Sequence, residues 1–383
     1  MKILHLQSFG HKPDYIIIGA VTTLVLSGVL FLASASFDLS KQQYGEPYWY
    51  LRSQLLHGLL PGIIGFVVAY LVYYRSLKKV ALILLAVNVI LLIMVFTPLG
   101  VEVNNARRWL DIGGFTFQPS EFLKFTLIVY LASLFSSSRL RTKTHTWGAY
   151  GLFLVVMAVV GGLIFAQPAT TMVVVILGAA TVVYLFGGAS WKQIVLTFLI
   201  FTVVVTLLAL VTPYRLRRLA PFWNPLVENI APSLSITSVS SDLYHQEQAR
   251  IAIGTGGWWG IGFGKSTTKY TLLPEPEGDS IFSVIAEEMG FVVASGVVML
   301  YLILFWRATV LMRRSQEEFG RLLVLGLTSV VALQAIIHIA ANTGLLPFTG
   351  VPLPFISHGG TALAVSLTIM GVVANVSRHA PLR

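Results

Sequence analysis

Apolar runs of about twenty residues recur along this chain, and no other feature restricts its fold as strongly. A helix of that length crosses the hydrocarbon core of a bilayer, whereas the cores of soluble domains are built from shorter, amphipathic segments. Ten such runs fall near 15–36, 51–73, 78–97, 120–136, 148–165, 168–186, 191–212, 281–305, 322–341 and 357–376. Residues are 56% hydrophobic and only 11% charged, well below the charged fraction of a soluble domain. The expected fold class is an all-α integral membrane protein, a polytopic bundle of about ten transmembrane helices. The first twelve residues are too polar for a cleaved signal, so the first run is expected to stay as a span.

The formal charge of +10 raises the question of nucleic acid, and the distribution of charge answers it. With the N-terminus cytoplasmic, 15 of the 26 Lys and Arg fall on inner segments, among them Arg75, Lys78, Lys79, Arg313 and Arg314, against three acids. Short basic inner loops follow the positive-inside tendency, so both termini are expected in the cytoplasm. The excess charge is a topology signal, and no nucleic-acid partner is expected. The chain has no cysteine, which excludes disulfides, thiolate metal sites and cysteine nucleophiles.

The whole chain, 1–383, reads as one membrane domain. Within it a long extracytoplasmic segment separates the seventh and eighth spans, from Pro213 to Asp279, 67 residues in all. Loops of that length are uncommon in compact proteins and usually carry function. Its cluster Gly254-Thr255-Gly256-Gly257-Trp258-Trp259-Gly260 mixes glycine with aromatics, so part of it is expected in the interface or re-entering the membrane. Two other outer segments stand out. One is 98–119, with Arg107, Arg108, Trp109 and Asp111; the other is Asn342 to Ser357, whose three prolines rule out a continuous helix.

Chemistry concentrates where Leu273-Pro274-Glu275-Pro276-Glu277-Gly278-Asp279-Ser280 enters the eighth span. Asp279 at the helix mouth has a simple structural reading as an N-cap. Glu287 and Glu288 follow two turns into the same span, and carboxylates within a membrane segment are costly enough to suggest function. Glu121 and Lys124, at spacing i, i+3, share a helix face as either a structural ion pair or a polar headgroup pocket. His338 and Asn342, one turn apart, read as helix-packing hydrogen bonders. Arg215, Arg217 and Arg218 lie on the outer side against the positive-inside tendency, where an anionic partner or lipid headgroups would meet them. Gly264-Lys265-Ser266 looks like the end of a nucleotide-binding loop, but Trp259 occupies the position of its required glycine, so no nucleotide is expected.

Several stretches together resemble the SEDS family (shape, elongation, division and sporulation). They are Ala106-Arg107-Arg108-Trp109, Gln118-Pro119-Ser120-Glu121 with Lys124, Tyr214-Arg215-Leu216-Arg217-Arg218-Leu219, Ile251-Ala252-Ile253-Gly254-Thr255-Gly256-Gly257, Leu273 through Glu288, and Pro352-Leu353-Pro354-Phe355-Ile356-Ser357 with Gly359-Gly360-Thr361. The short step from Gly264 to Leu273 is closer to the division-type branch, FtsW, than to the elongation-type RodA. The resemblance implies a peptidoglycan glycosyltransferase that polymerises lipid II, the undecaprenyl-pyrophosphate-linked precursor, at the outer face of the cytoplasmic membrane during cell division or shape maintenance. It implies Asp279 as the catalytic residue, acting as a base or as ligand to a divalent cation, Mg or Mn. It assigns substrate contacts to Arg108, Trp109, Glu121, Lys124, Arg217, Arg218, Lys269, Glu275, Ser357, Gly359 and Gly360. It also implies a class B penicillin-binding protein as partner, since the chain has no transpeptidase domain. Glu277-Gly278 stands where the family has His-Thr, Ser53 precedes Gln54 where Arg is usual, Gln167-Pro168-Ala169 replaces a Pro-Asp context, and His358 replaces Tyr. Two other functions fit the residues: a flippase for a lipid-linked precursor, and a non-catalytic scaffold for the synthase.

Overall fold

The computed structural model describes residues 12–103, 106–113, 115–137, 147–167, 169–211, 241–270 and 273–380. Helices occupy each of the ten segments expected from hydropathy. They are α1 (Tyr15–Tyr44), α2 (Trp49–Leu71), α3 (Arg75–Met94), α4 (Pro119–Phe135), α5 (Trp147–Ala166), α6 (Thr170–Phe186), α7 (Trp191–Val211), α9 (Ile281–Arg314), α10 (Glu318–Asn342) and α11 (Gly360–His379), with α8 (Ser241–Thr255) inside the long segment. Seven of these, α1, α2, α3, α5, α9, α10 and α11, are long and apolar enough to cross a membrane. Helices α4 and α6 have 17 residues each, and the described apolar stretch of α7 is also short. The protein is a membrane protein of helical bundle type.

The helices face two environments, and their sequences show which. On α2 and α3, Ile63, Ile64, Val67, Val68, Leu82, Ile83, Val87 and Ile90 are exposed, which suits a lipid-facing surface. α10 and α11 are mostly enclosed, and small residues let their neighbours approach. A methyl at Gly62 would meet Leu367 at 2.6 Å, and one at Gly371 would meet the carbonyl of Phe66 at 2.5 Å, so α2 and α11 touch almost backbone to backbone. α2 carries a π-turn over Leu55–Leu59, beside this contact.

Two segments between the apolar helices hold regular structure that hydropathy does not report. Strands β1 (Gly100–Val103), β2 (Ala106–Ile112) and β3 (Phe115–Phe117) form a three-stranded antiparallel sheet, with Val101 opposite Trp109 and Leu110 opposite Phe117. Within the segment read as a loop from sequence, α8 runs 15 residues. Its middle, His245-Gln246-Glu247-Gln248 followed by Arg250, is polar, and a search for apolar runs therefore passes over it.

α9 is 34 residues long, about 51 Å at 1.5 Å per residue, and is broken at Gly290, where φ is 76° and ψ −178°. A continuous helix would bond Phe291 N–H to Glu287 C=O and Val292 N–H to Glu288 C=O. Instead Ile261 and Gly262 donate to those two carbonyls at 3.0 and 2.9 Å. The freed amides of Phe291 and Val292 donate to Gly257 and Trp258 at 2.8 and 3.3 Å. The glycine-rich segment after α8 thus replaces the helix's own hydrogen bonds, as backbone at membrane depth requires. Only glycine fits. A methyl on Gly256 would lie 2.0 Å from the Ala286 carbonyl, and one on Gly290 2.3 Å from the Gly260 nitrogen.

Candidate functional site

The loop that delivers Asp279 is shaped by one acceptor and two prolines. Glu275 adopts a left-handed φ of 42°, and its carbonyl accepts from Gly278 N–H at 2.9 Å and Ser280 N–H at 3.2 Å. Ser280, not Asp279, stands at the N-cap position of α9, and its hydroxyl donates to the Pro274 carbonyl at 2.7 Å. The N-cap reading of Asp279 is therefore replaced. The helix begins one residue later, and Asp279 is half-buried at its mouth while residues 281–288 are all buried.

Three elements clamp this loop. From α10, Asn342 donates to the Asp279 carbonyl at 3.0 Å and accepts from Ser283 Oγ at 2.8 Å. From the segment before α11, Ser357 Oγ donates to the Gly278 carbonyl at 2.7 Å and accepts from Leu353 N–H at 2.8 Å, while His358 N–H donates to the Glu277 carbonyl at 2.8 Å. From α2, Gln54 donates to the Ser357 carbonyl at 3.2 Å and accepts from Gly359 N–H at 2.9 Å. Gly350 passes over the carboxylate, a methyl there lying 3.3 Å from Asp279 Oδ2. Gln54, Ser357 and Asn342 thus act on the backbone around Asp279, which fixes the carboxylate's position through its main chain. Ser357, Gly359 and Gly360 work as parts of this clamp. A side chain at Gly360 would meet the His57 carbonyl at 2.9 Å, so the glycine lets α11 start against the π-turn of α2.

Two other carboxylates share the loop. Glu275 is exposed, whereas Glu277 is 7% exposed and its Oε2 has no hydrogen-bond partner among the described residues. Burial, with a smaller push from Glu275, raises the Glu277 carboxyl to about 7, so it exchanges its proton near neutral pH. The imidazole of His358, packed edge-on against Tyr50 at 5.0 Å, is lowered by burial to about 4 and is neutral at pH 7.

The remaining predicted contacts lie elsewhere. Glu121 and Lys124 form an ion pair at 2.5 Å with side chains 2% and 1% exposed, and Lys124 also donates to Gln334 of α10 at 2.9 Å. Of the two readings of this pair, the geometry is that of a helix anchor. Lys269 lies under the glycine-rich segment and pairs with Glu288 at 2.8 Å, donating also to the carbonyls of Ser34 and Gly264. Glu288 accepts from Ser34 Oγ at 2.7 Å, and Glu287 from Ser266 Oγ at 2.5 Å, from Thr268 Oγ1 and from Thr267 N–H at 3.2 Å. These intramembrane acids fasten the 254–269 segment to α9. Arg108 on β2 is half-buried and donates to the Gln167 carbonyl at 3.0 Å, with Trp109 beside it on the strand. Arg217 and Arg218 lie outside the described residues. Sequence reasoning left Gln54, Asn342 and Glu277 out of the site, because the backbone groups that Gln54 and Asn342 hold belong to other elements and the burial of Glu277 is set by packing.

A resident divalent cation finds no ready donor set. Among the described residues, no three His, Cys, Asp or Glu side chains converge.

With this geometry in place, comparison with known proteins is direct. A family model described as cell cycle protein, FtsW/RodA/SpoVE, matches residues 14–381. The probable peptidoglycan glycosyltransferase FtsW of Halomonas elongata is 35% identical over 379 residues, covering 97% of this chain and 92% of that protein. Stage V sporulation protein E of Bacillus subtilis is 30% identical, covering 96% and 98%. Among solved structures, the rod shape determining protein RodA of Thermus thermophilus superposes with a TM-score of 0.69 at 26% identity, covering 96% of this chain and 97% of that one. A family match over residues 14–381, with relatives 35% and 30% identical over nearly the whole chain, makes the chain a member of the FtsW/RodA/SpoVE family of membrane proteins.

Proposed function

We propose that this protein is a peptidoglycan glycosyltransferase that polymerises lipid II, with Asp279 as general base. The family and its FtsW relatives support the activity. The observation that carries the residue assignment is the contrast across the start of α9: Asp279, just before the helix, is half-exposed and positioned through backbone contacts, whereas Glu287 and Glu288 within it are buried and committed to the packing of the 264–269 segment.

In the reaction, a sugar hydroxyl of the acceptor loses its proton to the Asp279 carboxylate as its oxygen attacks the anomeric carbon of the donor. The new C–O bond forms on the face opposite the leaving group, the C–O bond to the pyrophosphate breaks, and undecaprenyl pyrophosphate departs. An α-linked donor gives a β-linked glycan by inversion. A positioned general base contributes about a hundred- to ten-thousand-fold. Countercharge for the pyrophosphate falls to arginines rather than to Lys124, which is held by Glu121; Arg108, Arg217 and Arg218 are the candidates. No step is routed through a metal.

The basic ends of the helices support both termini in the cytoplasm of the bacterial cell and the Asp279 loop at the outer face of the membrane. Both lipid tails then remain in the bilayer while the sugars react at its boundary. A class B penicillin-binding protein, which would crosslink the glycan, is the proposed partner. Flippase function draws little support, since the intramembrane acids are paired within the fold instead of lining a charged path.

The test uses purified protein with labelled lipid II, with and without the synthase partner, comparing wild type and Asp279→Asn. Glycan from wild type and none from a folded, partner-bound variant is the expected result. Equal polymer from both removes Asp279 from the mechanism, and no polymer from either favours the scaffold.

A further inference from the structure

At the end of the bundle opposite Asp279, a cavity of about 340 Å³ opens between the start of α1, the last turns of α9 and the end of α11. Ile16, Val310 and Leu311 give it an apolar wall, and Lys12, Arg307 and Arg314 bring three cations to it. The single acid among its lining residues is already committed. Asp14 accepts from the amides of Ile16 and Ile17 at 3.1 and 3.4 Å through Oδ1, and from Arg307 Nε at 2.6 Å through Oδ2. The N-terminus of α1 is thus capped from within and adds nothing to a ligand site.

The charge balance leaves Lys12 and Arg314 in excess. Neighbouring acids among the described residues do not offset them: Glu317 accepts from Arg75 Nε and the Tyr74 hydroxyl, both at 2.5 Å, and Glu318 pairs with Arg321 at 3.4 Å. Two aromatics mark the depth of the cavity. Tyr15, on its rim, and Trp306, next to Arg307 in the chain, are 64% and 59% exposed, the placement typical of a membrane–water interface.

We propose that this cavity binds the headgroup of an anionic phospholipid, with its phosphate between Lys12 and Arg314 and an acyl chain along Ile16 and Val310. Charge alone would suit any phosphate; the apolar wall and the interfacial depth assign it to a lipid. The bound lipid bridges α1, α9 and α11, and the proposal is independent of the chemistry at Asp279.

The experiment incorporates the full chain into nanodiscs of phosphatidylglycerol and phosphatidylcholine, then counts co-released lipids by native mass spectrometry. Wild type is compared with Lys12→Gln, Arg314→Gln, their double variant, and Lys192→Gln, an exposed cation at the start of α7. Wild type should retain phosphatidylglycerol over phosphatidylcholine. Each single variant should weaken that preference about fivefold and the double variant about thirtyfold, at unchanged Tm, with Lys192→Gln like wild type. Equal retention by wild type and the double variant overturns the site. Displacement of the lipid by excess inorganic phosphate overturns the lipid assignment in favour of free phosphate. The single variants keep the test decisive if the double variant misfolds.

Discussion

Two sets of acids flank the start of α9, one in the turn before it and one within it, and they live under different rules. Glu287 and Glu288 lie within the helix body, buried, each accepting several hydrogen bonds from the segment 264–269 or from Ser34 and Lys269. Asp279, with Glu275 and Glu277, lies in the turn that precedes the helix, a turn held by its backbone, and Glu277 there keeps one buried oxygen unmatched. A carboxylate in hydrocarbon must be matched inside the protein, and matching it fixes architecture. A carboxylate at the mouth can be placed by its main chain instead. Intramembrane position alone, then, does not distinguish function from structure on this helix; the way each acid is held does.

The sharpest way to break this division is to exchange the consequences. Asp279→Asn should lower polymerisation of lipid II about a hundred- to ten-thousand-fold at unchanged Tm, whereas a matching loss of Tm would place Asp279 among the structural acids. Glu288→Ala should do the reverse, leaving the ammonium of Lys269 buried without its partner and costing about 3–5 kcal/mol of stability, read as a drop in Tm in detergent.

Glu277 sharpens the comparison because it is buried yet unmatched. Its carboxyl is raised to about 7 in the fold, above its value in the unfolded chain, so the folded state favours the protonated form. Its contribution is fully present below the unfolded pKa, near 4, and is lost as pH rises through about 7. Glu277→Gln should therefore flatten the fall of Tm between pH 5 and pH 8, recovering up to about 3 kcal/mol at the alkaline end. Tm profiles that remain parallel would show that Glu277 gains a partner in solution. Smaller effects follow for the fastenings. Glu287→Gln should cost about 1–3 kcal/mol and increase proteolysis in the 264–269 segment first. Ser357→Ala, which removes one acceptor and one donor from the clamp, should cost about 1 kcal/mol and reduce activity modestly, through the placement of Asp279.

Hydropathy was enough to locate every long apolar helix among the described residues, because a bilayer demands length and apolarity whatever the partners are. The place of Asp279 was also legible, just before a helix and after two prolines, whereas its role stays a proposal. The three-stranded sheet and helix α8 were not, since strand pairing and a polar helix leave no apolar run. Nor could sequence choose between the two readings of Glu121 and Lys124: spacing put them on one face, but only the packing of α4 against α10 shows both enclosed, with Lys124 bonded to Gln334 as well as to Glu121. The same holds for the glycine cluster. Its composition indicated close approach or re-entry, while its role, completing the hydrogen bonds of α9 across Gly290, depends on two segments about thirty residues apart meeting in register. The sequence by itself determined the solvent this chain lives in and where its acids fall along each helix. Tertiary structure alone decided which acids are matched, because a hydrogen-bond partner brought by another helix is a property of packing and has no signature in the local sequence.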